Sequence, residues 1–79
     1  MVKAYVLAKI ATGCDVEVSA RIMKISDIKG ASTTYGVYDL IIDVEFASME
    51  KLDEFIFREL RMIPGVKETT TVIISKTLI

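Results

Sequence analysis

This chain has no histidine, tryptophan, asparagine or glutamine, and only one cysteine and one proline. Without histidine it lacks the commonest general base and metal ligand. With Cys14 alone it builds neither an internal disulfide nor a multi-cysteine metal site. No metal and no other cofactor is expected. No apolar run approaches the ~20 residues that span a bilayer, and no charged segment leads into an apolar stretch in signal-peptide fashion. We therefore expect a soluble cytoplasmic protein with no membrane partner. Basic runs are missing as well: lysine and arginine are scattered, the net charge is −1 and the pI is about 5.3. Nucleic-acid binding usually leaves a basic patch or stripe, so no direct contact with DNA or RNA is expected. Heat-labile amides are depleted in thermophile proteins, and the absence of both points to a thermophilic source.

What is present is apolar. The 79 residues suffice for one domain, yet 52% of them are hydrophobic. A chain of this length buries only about 60–65% of its unfolded surface, so its core alone is marginal. The apolar excess is best hidden by oligomerisation.

Val2 to Ile10 alternates. Val2, Ala4, Val6, Ala8 and Ile10 point one way and Lys3, Tyr5, Leu7 and Lys9 the other, which predicts a first strand. Val16, Ala20 and Met23, with Ile22 alongside, predict the buried stripe of a helix running to about Ile25. A second strand is expected from Ile28 to about Thr34. Tyr38 to Phe46 reads as the clearest strand, with Tyr38, Leu40, Ile42, Val44 and Phe46 on one face. Ser48 is the candidate N-cap of a second helix whose stripe is Met49, Leu52, Ile56, Leu60 and Ile63, widened by Phe55. Pro64-Gly65 stops it. Val66 to about Thr77 is the last strand, with Val66, Glu68, Thr70, Val72, Ile74 and Lys76 on one face and Lys67, Thr69, Thr71, Ile73, Ser75 and Thr77 on the other.

The chain also matches itself. Ile25-Ser26-Asp27-Ile28-Lys29-Gly30-Ala31-Ser32-Thr33 corresponds to Ile63-Pro64-Gly65-Val66-Lys67-Glu68-Thr69-Thr70-Thr71, each reading as helix end, turn and strand start. Two such units give an α+β chain: a ferredoxin-like βαββαβ sandwich, with a four-stranded antiparallel sheet and both helices on one face. The helix-free face carries apolar and polar residues together, which marks it as an interaction surface.

Gly36-Val37-Tyr38-Asp39 is the strongest candidate for ligand chemistry. A glycine turn exposes backbone N–H groups to an anion, and Asp39 is a charged acceptor for an ammonium. The same residues also suit a plain hairpin with a strand tyrosine and a solvated aspartate. Thr69, Thr70 and Thr71 offer hydroxyls, or simply β-branched strand propensity. Thr34 lies just before the loop. Helical spacing cannot bury Phe55, Ile56 and Phe57 on one face, so Phe57 is either an interface residue or a stray exposed aromatic. Asp43 and Glu45 share a strand face but have no partner that would make them an acid/base pair.

Ala4-Tyr5-Val6-Leu7, Gly36-Val37-Tyr38-Asp39-Leu40 and Leu60-Arg61-Met62-Ile63-Pro64-Gly65-Val66, continued by Thr69-Thr70-Thr71-Val72-Ile73-Ile74, together resemble a known family. It is the effector domain of the leucine-responsive (Lrp)/AsnC transcription regulators, called the RAM domain. The resemblance covers essentially residues 1–79 as a single domain. It implies an amino-acid-binding regulatory domain that acts on transcription or amino-acid metabolism. It implies homo-oligomers in which sheets pair into dimers and dimers join into rings, with the effector between dimers near Thr34, Gly36, Tyr38, Asp39 and Thr69–Thr71. Full-length regulators of the family are implied as further partners. Family regulators carry an N-terminal helix-turn-helix, whereas the first strand here begins at residue 2, so a stand-alone form is expected.

Other functions fit less well. A small ferredoxin-like enzyme of monooxygenase or acylphosphatase type is the alternative, but the chain has no histidine, no nucleophile-base pair and no asparagine for acylphosphatase chemistry. An RNA-recognition module needs aromatics beside basic residues on its central strands, where this chain has Asp39, Asp43 and Glu45. Cys14 superficially resembles the metal turn of copper chaperones, which need two cysteines.

Overall fold

The computed structural model describes residues 1–79. Alternation along Val2–Ile10 gives strand β1, because every second side chain of a strand falls on one face. Helix α1 (Asp15–Ile22), strands β2 (Ile28–Thr33) and β3 (Leu40–Phe46), helix α2 (Met49–Glu54) and strand β4 (Val66–Ile73) follow. The strands form one antiparallel sheet in the order β2-β3-β1-β4. Each helix thus carries the chain across one intervening strand, which is the expected ferredoxin-like layout.

Thirteen residues are buried. Ala4, Val6 and Ala8 of β1 and Leu40, Ile42 and Val44 of β3 form the sheet side of the core, under Val18 and Ile22 of α1 and Leu52, Phe55, Ile56, Leu60 and Ile63 from the second helical region. The edge strands β2 and β4 contribute no fully buried residue. With so few buried residues, much apolar surface stays outside, including Val72 and Ile73 of β4.

The face of α1 differs from expectation. Val18 and Ile22 are buried, while Val16 and Met23 are 76% and 80% exposed and Ala20 is exposed too. Two apolar periods run through this helix, and Cys14-Val18-Ile22 satisfies helical spacing as well as Val16-Ala20-Met23 does. Packing decides between them: Gly65 sits against Cys14 and Val18. The helix also ends at Ile22, where i→i−3 bonds from Lys24 and Ile25 to Arg21 and Ile22 tighten the last turn.

In α2 the Ser48 hydroxyl accepts from the Lys51 N–H at 3.3 Å, so the expected N-cap forms. The helix does not continue as a regular α-helix to Ile63. It widens into a π-helix over Phe55–Leu60, where the Arg61 N–H donates to the Ile56 carbonyl at 2.9 Å. Met49 lies at the rim of the expected stripe and is 44% exposed. Strand β4 stops at Ile73, short of Thr77. A bulge at Lys9/Ile10 sets Val66 opposite Ile10 and Glu68 opposite Lys9, so Val66 packs against the core instead of sharing Glu68's face.

Candidate functional site

The β2–β3 connection is a tightly bonded loop with an open tip. The Thr34 N–H donates to the Asp39 carbonyl at 2.9 Å, and the Asp39 N–H to the Ala8 carbonyl at 2.9 Å. The Thr34 hydroxyl donates to the Tyr38 carbonyl at 2.7 Å. Gly36, at φ 120°, turns the chain at the tip in a region that side chains disfavour. The N–H groups of Tyr35, Gly36, Val37 and Tyr38 make no hydrogen bond within the chain.

Asp39 is not the free carboxylate that its sequence suggests. Its Oδ2 accepts from the Ile10 N–H at 2.8 Å and so holds the end of β1, while Oδ1 has no protein partner. Tyr38 also departs from expectation. Strand β3 begins at Leu40, and Tyr38 does not share the core face of Leu40: its hydroxyl is 2.7 Å from Thr70 Oγ1 on the helix-free side, with the Lys9 ammonium 5.8 Å from its ring centre.

The three threonines separate by strand alternation. Thr69 and Thr71 lie opposite Ala8 and Val6 on the helix side, where both line a groove of about 250 Å³ with Ile56, Phe57 and Arg61. Thr70 lies opposite Leu7 on the other face. Thr34 and Asp39 come together in a different cleft, of about 390 Å³, where Thr12, Gly13, Asp15 and Tyr35 join them. Thr12, Gly13 and Asp15 were missed by the sequence reading. Their only signal is Gly13, which takes φ 85° to turn β1 into α1 beside the loop.

The helix-free face runs from this end across the sheet. Its centre is the row Ser32, Ile41, Leu7 and Thr70, beside Asp43, Tyr5 and Val72. Two ion pairs cross its strands, Lys9 with Glu68 at 3.4 Å and Lys29 with Glu45 at 2.7 Å, while Lys3 and Asp43 on the same face form none. The hydrogen bond and charge of Glu45 raise the Lys29 pKa, and the hydrogen bond from Lys29 holds the Glu45 carboxyl below its ordinary range. The Glu45 contribution to stability is thus present above the unfolded-state pKa and is lost as pH falls through the depressed folded value. That of Lys29 is lost only as pH rises through its raised value. Carboxyl-carbon NMR should show Glu45 titrating below its ordinary range, and Lys29→Met should bring it back up. An unmoved Glu45 titration in that variant would refute the pairing.

The family model described as the Lrp/AsnC ligand binding domain matches residues 3–79. The HTH-type transcriptional regulator FL11 of Pyrococcus abyssi is 32% identical over 74 residues, 94% of this chain and 48% of that protein. The chain thus spans about half the length of the curated relatives it matches. The crystal structure of FFRP-DM1 superimposes with a TM-score of 0.88 at 36% identity, covering 94% of this chain and 99% of that one. The Neisseria meningitidis transcriptional regulator NMB0573, solved as an L-Met complex, shares the fold with a TM-score of 0.87 at 18% identity, covering 95% of this chain and 50% of its own.

Proposed function

Because the chain belongs to the Lrp/AsnC ligand binding domain family, we propose that it is an amino-acid-responsive regulatory domain that assembles with copies of itself or with full-length regulators carrying the same domain. The observation that carries this reading is the cleft at the β2–β3 loop, which offers both halves of what a zwitterion needs. Asp15 and Asp39 supply carboxylate oxygens for the ammonium. Of the loop-tip N–H groups that make no hydrogen bond within the chain, that of Tyr35, which lines the cleft, is the donor for the carboxylate, while Gly36, Val37 and Tyr38 lie outside the cleft lining. Thr34 fixes the loop, and the Tyr38–Thr70 contact ties it to the helix-free face. The L-Met bound by the Neisseria regulator belongs to the same ligand class.

The cleft is open on one side, and a second copy closes it. In this reading the ligand favours the assembly in which the cleft is closed, and by linkage the assembly favours the ligand. The helix-free face, where Leu7, Ile41, Tyr5 and Val72 lie among Ser32, Thr70 and Asp43, is the surface through which copies pair.

A thermal-shift screen against the standard amino acids, with native mass spectrometry on each hit, tests this. A ligand at 100 times its Kd that binds only the folded form adds about 2.7 kcal/mol. At least one amino acid should raise the melting temperature and change the oligomer distribution. No shift from any of them would refute the reading. Asp39→Asn then separates charge from scaffold. An amide oxygen still accepts from the Ile10 N–H, so Asp39→Asn should keep the fold and lose at least about tenfold in ligand affinity, or 1.4 kcal/mol. Asp39→Ala should lose the ligand response and also about 1–2 kcal/mol of stability, because a strand-end donor is left without its acceptor. Unchanged affinity in Asp39→Asn would refute the site.

A further inference from the structure

A second cavity lies at the opposite end of the sheet from the amino-acid cleft. The cleft gathers the ends of β1 and β2 and the chain that follows each. The second pocket, of about 320 Å³, gathers the starts of β1 and β2, the end of β3 and the residues just beyond β4. Antiparallel pairing brings these together: Lys3 lies opposite Glu45 and Tyr5 opposite Asp43, while the Ile74 N–H donates to the Lys3 carbonyl at 2.9 Å. Lys29 enters from β2 and Lys76 and Thr77 from the tail of β4. The two sites share no residue.

The charges of this pocket are only partly matched. Lys29 and Glu45 hold each other at 2.7 Å. Lys3, Lys76 and Asp43 make no ion pair in the chain, whose other pair is Lys9–Glu68. The N–H groups of Lys76 and Thr77 make no hydrogen bond within the chain. Tyr5, 40% exposed, gives the pocket an aromatic surface.

We propose that this pocket binds a nucleoside monophosphate. Each unmatched group meets one part of such a ligand. Lys3 and Lys76 are point charges for a phosphate, and the free N–H groups of Lys76 and Thr77 add donors to it. The Tyr5 ring is a face on which a nucleobase stacks. Asp43, beside Tyr5, accepts from a ribose hydroxyl. The same groups disfavour simpler ligands. An amino acid brings one carboxylate to two free lysines. Inorganic phosphate meets Asp43 with nothing to donate to it, and like charges repel. Three lysines against two carboxylates also suit a single phosphate, whereas a nucleic-acid backbone takes a basic stripe. The volume falls at the small end of the range for small-molecule sites. Lys3 lies four residues from Leu7 along β1, about 13 Å, so the pocket opens at the end of the helix-free face and not at its centre. The proposal stands even if the cleft at the β2–β3 loop binds no amino acid.

Titration calorimetry and amide NMR on the full chain test it. The ligands are the four ribonucleoside monophosphates, with their nucleosides, ribose 5-phosphate and inorganic phosphate as contrasts. At least one monophosphate should bind and shift the amides of Lys3, Tyr5, Asp43, Lys76 and Thr77, leaving those of Thr12 and Thr34 in place. Its nucleoside and inorganic phosphate should each bind at least about tenfold more weakly. Lys3→Met with Lys76→Met should erase the preference for the monophosphate over its nucleoside. Tyr5→Leu should erase the preference for the monophosphate over ribose 5-phosphate. Lys24→Met, just beyond α1, should bind like wild type. All these side chains are exposed, so circular dichroism should report the folded state throughout. Binding of none of the four monophosphates would overturn the proposal, as would a double-methionine variant that binds like wild type or shifts confined to the cleft. Inorganic phosphate binding as tightly as the monophosphate would mark an adventitious anion only and overturn it as well.

Discussion

Gly65→Ala is expected to remove about 2–5 kcal/mol of stability, the sum of a left-handed backbone penalty and overpacking. Gly65 has φ 102°, and a Cβ built there would lie 2.7 Å from Cys14 Cβ and 3.0 Å from Val18 Cγ2. Neither neighbour is free to give way. Val18 is fully buried, and Cys14 opens α1 at the point where the Gly65 carbonyl accepts from the Ala11 N–H at 2.7 Å. The methyl group therefore pushes the start of α1 off the turn that follows the second helical region. A domain of this size has roughly 4–12 kcal/mol in total, so the loss is a large share of it. The melting temperature should fall by roughly 10–30 °C. Gly36→Ala is the control, because Gly36 has φ 120° with nothing within 4 Å of a Cβ. It pays the backbone penalty alone and should lose only about 1–2 kcal/mol. Adding Cys14→Gly to Gly65→Ala removes the atom at 2.7 Å and should recover part of the difference. Equal losses in Gly65→Ala and Gly36→Ala would show that the contact carries no weight.

The central strands were legible because alternation admits one reading. In β1 and β3 each polar residue has an apolar neighbour, and a shift by one position would bury Lys3 or Asp43. The cap at Ser48 and the Pro64-Gly65 turn were legible because each is local chemistry. The face of α1 was not. Val16-Ala20-Met23 and Cys14-Val18-Ile22 both satisfy helical period, and what selects the second is Gly65, which arrives from a distant part of the chain. Likewise no local signal marks the π-helix over Phe55–Leu60. The candidate site was half legible. Thr34 and Asp39 do meet, but through a loop whose hydrogen bonds use one Asp39 oxygen for the fold. Thr12 and Asp15 enter from the β1–α1 turn, a neighbour that only the sheet order β2-β3-β1-β4 brings alongside. The split of Thr69 and Thr71 from Thr70 follows from strand period alone.

Under the proposed pairing of helix-free faces, Leu7→Lys should leave a monomer. Leu7 lies at the centre of the helix-free face, between Ile41 and Thr70, and is not among the thirteen buried core residues. The domain therefore does not need it to fold, and circular dichroism should be unchanged. In an isologous pairing of two such faces, a central residue meets itself or a close neighbour across the axis. A lysine there sets two like charges in a site that loses its water. Breaking a buried arrangement with an uncompensated charge costs about 3–5 kcal/mol. The dimer dissociation constant should rise by at least about a hundredfold. Lys29→Ala, at the rim, is the contrasting variant. Its ion pair with Glu45 is solvent-exposed, and such pairs are worth little, so its dimer should remain within about threefold of wild type. If the cleft binds an amino acid as proposed and is closed by a second copy, Leu7→Lys should also abolish the thermal response to that amino acid, even though no residue of the cleft has changed. A Leu7→Lys protein that sediments like wild type would remove the sheet face from the assembly. One that is monomeric yet keeps its full ligand response would place the whole binding site within a single chain.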